Sequence, residues 1–331
     1  MLHPLRQLLR RSLGRCRGWA LLHSSRNPSP EEQQLLQQLL QLWPSLKHLA
    51  VFVRYGAGRT LPPWQSRFLA ELADLGWLIW VMDHSPQPLS LSALKGCGAQ
   101  LYLQRPNQGM CVGAFAHAIE LLHRCCDSSD PTAPLVPPTS LALINDSFLP
   151  LLPLHDTPPL NRLLSPGIND DRIRGLTESC EQSYHLQSYL LVLGGQAWLS
   201  PASRLQWQRC LQLAGRQQVI AAGEVGLSQC WQEQGLQLEP VLPLSVLAAA
   251  GRTRIPVERN DCLSALQQNA YLVYWRELLQ LSGVFKKSTL TDLHQSRISQ
   301  ATLQDFLEVA SSAGVHDPAS VIDHLVRHST V

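Results

Sequence analysis

Paired cysteines are what this 331-residue sequence most plainly lacks. Its nine cysteines, Cys16, Cys97, Cys111, Cys125, Cys126, Cys180, Cys210, Cys230 and Cys262, include no C-x-x-C pair. An odd, scattered set argues against a zinc centre and against a disulfide scaffold. A reduced, cytoplasmic compartment is the default that follows. Charge is sparse as well, with 16% charged residues and a net charge of +2. Beyond the N-terminus no run of Lys or Arg alternates with aromatics, so no nucleic-acid partner is expected. The longest uncharged apolar-rich run outside the motifs below, residues 240–251, is too short to cross a bilayer and contains Pro243. No G-x-x-x-x-G-K occurs, which excludes a P-loop nucleotide site, and Gly56-Ala57-Gly58 lacks the third glycine of a dinucleotide fingerprint.

What is present is a globular composition, 45% hydrophobic and rich in Leu and Gln. Its length suits one α/β domain with helical additions. Residues 1–27 differ in kind: Arg6, Arg10, Arg11, Arg15, Arg17 and Arg26 stand among leucines, with no acidic residue before Glu31. Leu5, Leu8, Leu9 and Leu13 fall at helical spacing. Such a segment suits peripheral contact with an anionic membrane surface; a transit peptide or a solvated tail has the same look. Ser29-Pro30-Glu31-Glu32 then reads as an N-cap, a proline at the first helical position and a capping-box glutamate. It predicts a helix within residues 28–47 that buries Leu35, Leu36, Leu39, Leu40 and Trp43.

From residue 48 apolar runs and amphipathic stretches alternate. Strands are expected at 49–53, 77–82 and 100–103, with a helix at 64–75 between the first two and another at 111–125 after the third. This β-α-β rhythm implies a parallel sheet. The run LALIND ends abruptly on Asn145-Asp146-Ser147. Open α/β sheets gather ligands beyond the carboxyl ends of their strands, so Asp146 is the first candidate for function and Asn145 and Ser147 accompany it. The same triplet is also ordinary turn chemistry. Asn107 and Gly109, in the loop after the third strand, have backbones and side chains small enough for close approach to a ligand.

R-P-N-Q-G-M-C-V-G-A-F at residues 105–115 and I-N-D-S-F-L-P at residues 144–150 resemble the R-E-N-x-G-x-D-x-G-A-[FW] and L-N-D-S-x-x-x-P segments of the rhamnan synthesis F family of glycosyltransferases. G-L-T-E-S with Y-H-L-Q-S-Y-L-L-V-L at 175–193, E-V-G-L-S-Q at 224–229, and the stretch from Asn269 ending Y-W-R-E-L-L-Q-L-S-G-V-F-K-K extend the resemblance over roughly 48–290. Departures are Cys111 where an acidic residue is usual, and Asn269-Ala270-Tyr271-Leu272 where N-P-T-H is usual.

The resemblance implies a GT-A-like, Rossmann-type, mostly parallel sheet flanked by helices; the residues outside it add a basic tail at 1–27, a helix at 28–47 and, from helical patterns at 303–310 and 318–326, a helical extension at 291–331. The resemblance also implies transfer of a sugar, rhamnose first of all, from a nucleotide-sugar to a polysaccharide or lipid-linked glycan, in the cytoplasm and at the inner face of the plasma membrane. Asn107, Gly109, Asn145, Asp146 and Ser147 would bind the donor. A single aspartate replaces the usual Asp-x-Asp, so Mg²⁺ or Mn²⁺, if used, would rest on Asp146. Inverting transfer needs a carboxylate base; Glu224, expected at a helix start marked by Gly223, leads and Glu178 competes. Thr177, His185 and Gln187 are expected on the acceptor. Trp275, Arg276, Lys286 and Lys287 could reach the diphosphate, although for Lys287 a solvated surface position is the favoured reading. The missing second aspartate, Cys111 and Leu272 also fit a catalytically silent binding or scaffold protein of polysaccharide assembly.

Overall fold

A computed structural model of the chain describes residues 27–56, 58–127, 135–252, 273–287, 289 and 300–328. The arginines of the N-terminal segment, Cys16, Cys262 and the segment Asn269-Ala270-Tyr271-Leu272 lie outside these described residues. Helix α1, Pro30–Leu42, starts on the expected capping box: Glu32 N donates to Ser29 Oγ at 3.2 Å and Ser29 N to Glu32 Oε2 at 2.7 Å. The other Glu32 oxygen pairs with His117 at 2.9 Å. The chain continues with β1, His48–Arg54, α2, Pro63–Asp74, β2, Leu78–Asp83, α3, Leu91–Gly96, and β3, Ala99–Gln104. Next come α4, Met110–Asp127, β4, Ser140–Asn145, β5, Phe148–Pro150, and α5, Pro158–Leu164.

The second half is more broken. Strands β6, Arg172–Gly175, β7, Glu178–Ser179, β8, His185–Leu186, and β9, Leu190–Gly194, precede α6, Gln196–Leu199, and α7, Pro201–Cys210. Helix α8 consists of three consecutive stretches, Arg216–Gln218, a π-helical Val219–Val225 and Gly226–Glu233. Strand β10, Gln237–Pro240, α9, Leu244–Gly251, α10, Trp275–Ser282, β11, Val284–Lys286, α11, Gln300–Ser312, and α12, Pro318–His328, complete the described elements.

The central sheet has seven strands in the order β10-β6-β9-β4-β1-β2-β3. All neighbours are parallel except β9, which runs antiparallel to both β4 and β6. The fold is therefore α/β with a mostly parallel sheet, as the alternation of elements predicts. Residues of β1 alternate between faces: Leu49, Val51 and Val53 join Phe115 and Ile119 of α4 and Trp207 and Trp231 beyond. Ala50 and Phe52 join Phe68, Leu69 and Leu72 of α2 with Leu160 and Leu163 of α5. Burial on both faces is why these strands read as unbroken apolar runs. A third cluster ties the C-terminal helices on, where Phe306 of α11 meets Phe285 edge-on at 4.9 Å between ring centres.

The second half differs from the sequence pattern at two points. The first is the 175–193 segment, whose apolar end alone, 190–194, enters the main sheet, while β7 and β8 form a separate small hairpin. The reason is that His185 and Leu186 pair with Ser179 and Glu178, whereas Leu190–Gly194 pairs with β4. The second concerns Glu224, which lies inside a continuous helix and not at its start. Gly223 serves packing there, since a Cβ on it would fall 2.8 Å from Val112 Cγ1 of α4.

At the carboxyl ends of β1 and β2 sits a buried ion pair. Arg54 Nη1 donates to both Asp83 oxygens, at 3.0 and 2.9 Å, and Nη2 donates to Gly58 O at 2.5 Å. Tyr102 OH and Ser85 N also donate to Asp83, at 3.0 and 2.9 Å. With Arg54 3% and Asp83 0% exposed, neither charge has solvent to fall back on. Arg54→Met is expected to cost roughly 3 to 5 kcal/mol in urea unfolding, because it strands a buried carboxylate. A loss under about 1 kcal/mol would show that the pair does not hold the strand ends.

Candidate functional site

The chain passes from β1 to β2 and β3 on one side, then returns through α4 to lay β4 on the other side of β1. The connections leaving β1 and β4 therefore diverge, and the crevice between two such carboxyl ends is where open α/β sheets hold ligands. Asn145 closes β4 there, with Asp146 and Ser147 turning the chain into β5. Asp146 N donates to Val53 O at 3.0 Å, and Tyr55 N donates to Asp146 Oδ2 at 2.8 Å. The carboxylate thus spans the floor of the crevice. Burial pushes its pKa up to about 6, against the opposing pull of Lys287, the Tyr55 N–H and Arg54.

Asn145 turns its amide oxygen back to accept from Ser147 N at 3.0 Å and from Ser147 Oγ. Its side chain also meets the Cys111 thiol, at the second residue of α4. Burial, then the Glu224 carboxylate, push that thiol up to about 11, with Asp146 adding to the effect. Cys111 accordingly bonds the amide at the end of β4 and lies within electrostatic reach of Glu224.

The loop before α4 is tightly folded. Gly109 has φ +75°, and a Cβ on it would lie 2.8 Å from Gly113 Cα. A Cβ on Gly113 would lie 2.5 Å from Gln108 O, so both glycines let the loop fold down onto the first turn of the helix. Met110 has φ +54°, a strained region for a bulky residue and of the kind that collects at functional sites. Asn107 is exposed beside it. Arg105 anchors the loop, donating to His84 Nε2 at 2.9 Å and to Gln108 O at 3.2 Å. Burial and the Arg105 charge bring the His84 pKa down to about 4, so the ring accepts and does not compete for a proton.

Glu224 projects from the π-helical turn of α8, a distortion often found where a helix must aim one side chain. Ser188 Oγ donates to its Oε1 at 2.5 Å and Ser188 N at 3.4 Å, while His185 Nε2 stands 3.9 Å from Oε2. His185 Nδ1 is 2.8 Å from Ser183 O. A carbonyl only accepts, so Nδ1 carries a proton and Nε2 faces the carboxylate. Behind Glu224 a cavity of about 10 Å³, lined by Ser188, Trp207, Gly223 and Trp231, has room for one water.

Glu178 is engaged elsewhere. Its Oε1 accepts from Leu244 N at 2.9 Å, capping the first turn of α9. Burial, and then the charge and hydrogen bond of Glu178, push the Tyr184 hydroxyl pKa up. Thr177 and Gln187, 1% and 5% exposed, spend their polar atoms on each other: Thr177 Oγ1 donates to Gln187 Oε1 and accepts from Tyr189 OH, both at 2.6 Å. With His185 at 2% exposure, these acceptor-site candidates form a buried layer under the crevice. Tyr189 links them to it, since its carbonyl accepts from Asn145 N at 3.1 Å.

Lys287 departs from its solvated reading. It is half-buried, its N donates to Ser147 O at 2.8 Å, and its charge acts on Asp146. Lys286 Nζ lies 4.9 Å from the Tyr189 ring centre. Arg276 is held by Asp305 and Trp275 is buried in the third cluster. Sequence reasoning passed over Arg54, Tyr55, Asp83 and Ser188. The signal for Arg54 was available, as a charge directly after the apolar run AVFV.

The donor set fits a resident divalent cation poorly. Among the described residues no three His, Cys, Asp or Glu side chains converge as a metal-binding group. Asp146 already gives one oxygen to Tyr55 N, Asn145 has turned its oxygen to Ser147, and Lys287 brings positive charge to the same carboxylate. All seven described cysteines are free thiols, and no described helix is long and apolar enough to cross a membrane. Compared with known proteins, the chain matches no family model, no curated protein and no solved structure.

Asp146 bears a cost that can be measured. Its folded pKa is raised, so the folded state binds the extra proton and stability falls as pH rises from about 4 through 6. Asp146→Asn keeps an acceptor for Tyr55 N and removes that cost. The variant is expected to be more stable at pH 7.5 by roughly 1 to 3 kcal/mol, and to unfold with a midpoint that no longer declines between pH 4 and 6. A midpoint lowered at pH 7.5 would contradict this electrostatic picture.

Proposed function

We propose that the protein is a glycosyltransferase that moves a sugar, rhamnose first of all, from a nucleotide-sugar donor to a growing cell-surface polysaccharide or lipid-linked glycan, with inversion at the anomeric carbon. The observation that carries this reading is the convergence on one crevice of stretches far apart in the chain: the 105–111 loop, Asn145-Asp146-Ser147, Glu224 and Lys287. All four lie in the segments that resemble the rhamnan synthesis F family. A mostly parallel sheet whose crevice opens between β1 and β4 is compatible with the GT-A-like architecture that the resemblance implies. The proposed place of work is the cytoplasm at the inner face of the plasma membrane, where lipid-linked glycan meets nucleotide-sugar.

In this reading the donor lies over the β1–β4 switch, its diphosphate toward Asp146 and Lys287, within reach of Asn107 and the Gly109 turn. The acceptor enters on the Glu224 side. Glu224 takes the hydroxyl proton as the oxygen attacks the anomeric carbon, and the nucleoside diphosphate departs from the opposite face. The Ser188 hydroxyl and N–H fix the carboxylate, and His185 Nε2 offers a second seat for the proton. Glu178 is a helix cap in this scheme and not a base. The partly buried thiol of Cys111, where the family carries an acidic residue, favours a second reading in which the crevice binds donor without turning it over.

Steady-state turnover of a panel of nucleotide-sugars, including slow hydrolysis over hours, separates the two. Wild type is expected to release nucleoside diphosphate, and Glu224→Gln to lower the rate by roughly 10²- to 10⁴-fold with donor binding retained. Glu178→Gln should instead lower the thermal midpoint, with a loss of about 1 kcal/mol and little change in rate. Binding without any turnover by wild type would leave the silent reading in place. Abolished turnover in Glu178→Gln beside an active Glu224→Gln would reverse the assignment of the base.

A further inference from the structure

Resting on the reading of the crevice as a nucleotide-sugar site, we propose that Lys286 and Lys287 hold the donor's diphosphate in place of a divalent cation, so that binding does not require metal. The backbone delivers both lysines to the crevice. Strand β11 lies antiparallel to β5 with Lys286 opposite Phe148, and Lys287 N then donates to Ser147 O at 2.8 Å. That bond places Lys287 beside the Asn145-Asp146-Ser147 turn, and Lys286 stands over the Tyr189 ring, whose residue bonds the end of β4.

This arm is firmly seated. Val284 and Phe285 are buried, and the Phe285 ring packs against Trp275 and Phe306 at 5.9 and 4.9 Å between centres. Gly283 has φ +64°, a Cβ on it would fall 2.7 Å from Leu152 Cβ, and its carbonyl accepts from Leu151 N at 2.8 Å. The chain is therefore pinned on both sides of the fold directly ahead of the lysines. Preset cations cost little ordering when an anion arrives.

Charge favours the same conclusion. Among the described residues Lys287 acts on Asp146 and Lys286 stands over Tyr189, so a diphosphate meets cations beside the Asn145-Asp146-Ser147 turn, while a metal ion there would be set beside like charge. Arg54 and Arg276, the forked cations of the neighbouring segments, are committed to Asp83 and Asp305. Cys111 and the turned amide of Asn145 add no anionic ligand. An ammonium can neutralise a departing nucleoside diphosphate as a point charge, which is the task a divalent cation otherwise performs.

The test is calorimetric titration of inorganic pyrophosphate into the full chain, once in excess EDTA and once in Mg²⁺. Wild type, Lys286→Gln, Lys287→Gln, Lys287→Arg and Lys47→Gln are compared, Lys47 being an exposed lysine at the other end of β1. Wild-type affinity is expected to be no stronger in Mg²⁺ than in EDTA. Each glutamine substitution at 286 or 287 should weaken it by roughly tenfold or more, Lys287→Arg should retain it, and Lys47→Gln should leave it unchanged. Binding that needs Mg²⁺, binding in EDTA that survives both glutamine substitutions, or no binding in either medium overturns the proposal. Pyrophosphate carries no sugar, so lysine-dependent, metal-free binding supports the proposal even if no nucleotide-sugar is turned over; only the transferase reading then falls.

Discussion

Two parallel strands ending side by side with diverging connections leave a gap, and in this protein one carboxylate closes it. Asp146 leaves β4 and accepts the Tyr55 N–H beyond β1, while its own N–H returns to Val53. Everything proposed about function depends on that bridge. It sets the spacing of the crevice floor, and it holds a negative charge where burial disfavours one. A half-buried acid whose ionisation costs stability is hard to account for by packing alone, and a cationic arm beside it gives the charge a partner only in part.

Around the bridge the structure is arranged in shells. Directly beneath are groups already satisfied by one another, Thr177 with Gln187 and Tyr189 on one side and Arg54 with Asp83 on the other. These buried polar pairs do not offer themselves to a ligand, but they fix the strand ends on which the exposed groups ride. Above lie the strained Gly109-Met110 turn, Glu224 on its π-helical turn, and the lysines at and just after the end of β11. In the proposed function, positioning thus falls to the buried layer and chemistry to the rim.

Much of the frame was legible in the sequence for plain reasons. Ser29-Pro30-Glu31-Glu32 specifies its own cap through local bonds, and the apolar runs of β1, β2 and β4 report burial on both faces. Asn145-Asp146-Ser147 was readable because a run that stops on polar residues marks a strand end. What was not legible depended on partners distant in the chain. Glu178 and Glu224 look alike as acidic residues near small ones, and only the fold shows that one caps α9 while the other faces Ser188 and His185. Gly223 resembles a helix-start glycine, yet its role is the close approach of Val112, which no local pattern encodes. Lys287 reads as surface until the pairing of β11 with β5 returns it to Ser147. The short helix α3 carries no buried residue and so leaves no hydrophobic period to detect.

The central claim is that the β1–β4 crevice is the ligand site, and hydrogen exchange read by mass spectrometry tests it without presupposing any reaction. Exchange is compared with and without saturating nucleoside diphosphate, across a set of different bases. The account predicts slowed exchange in peptides covering residues 55–58, 105–113, 145–148 and 284–289, with those of α2 and α9 unchanged. Protection confined to the C-terminal helices α11 and α12, or to the outer strands β6 and β10, would place the ligand elsewhere and contradict it.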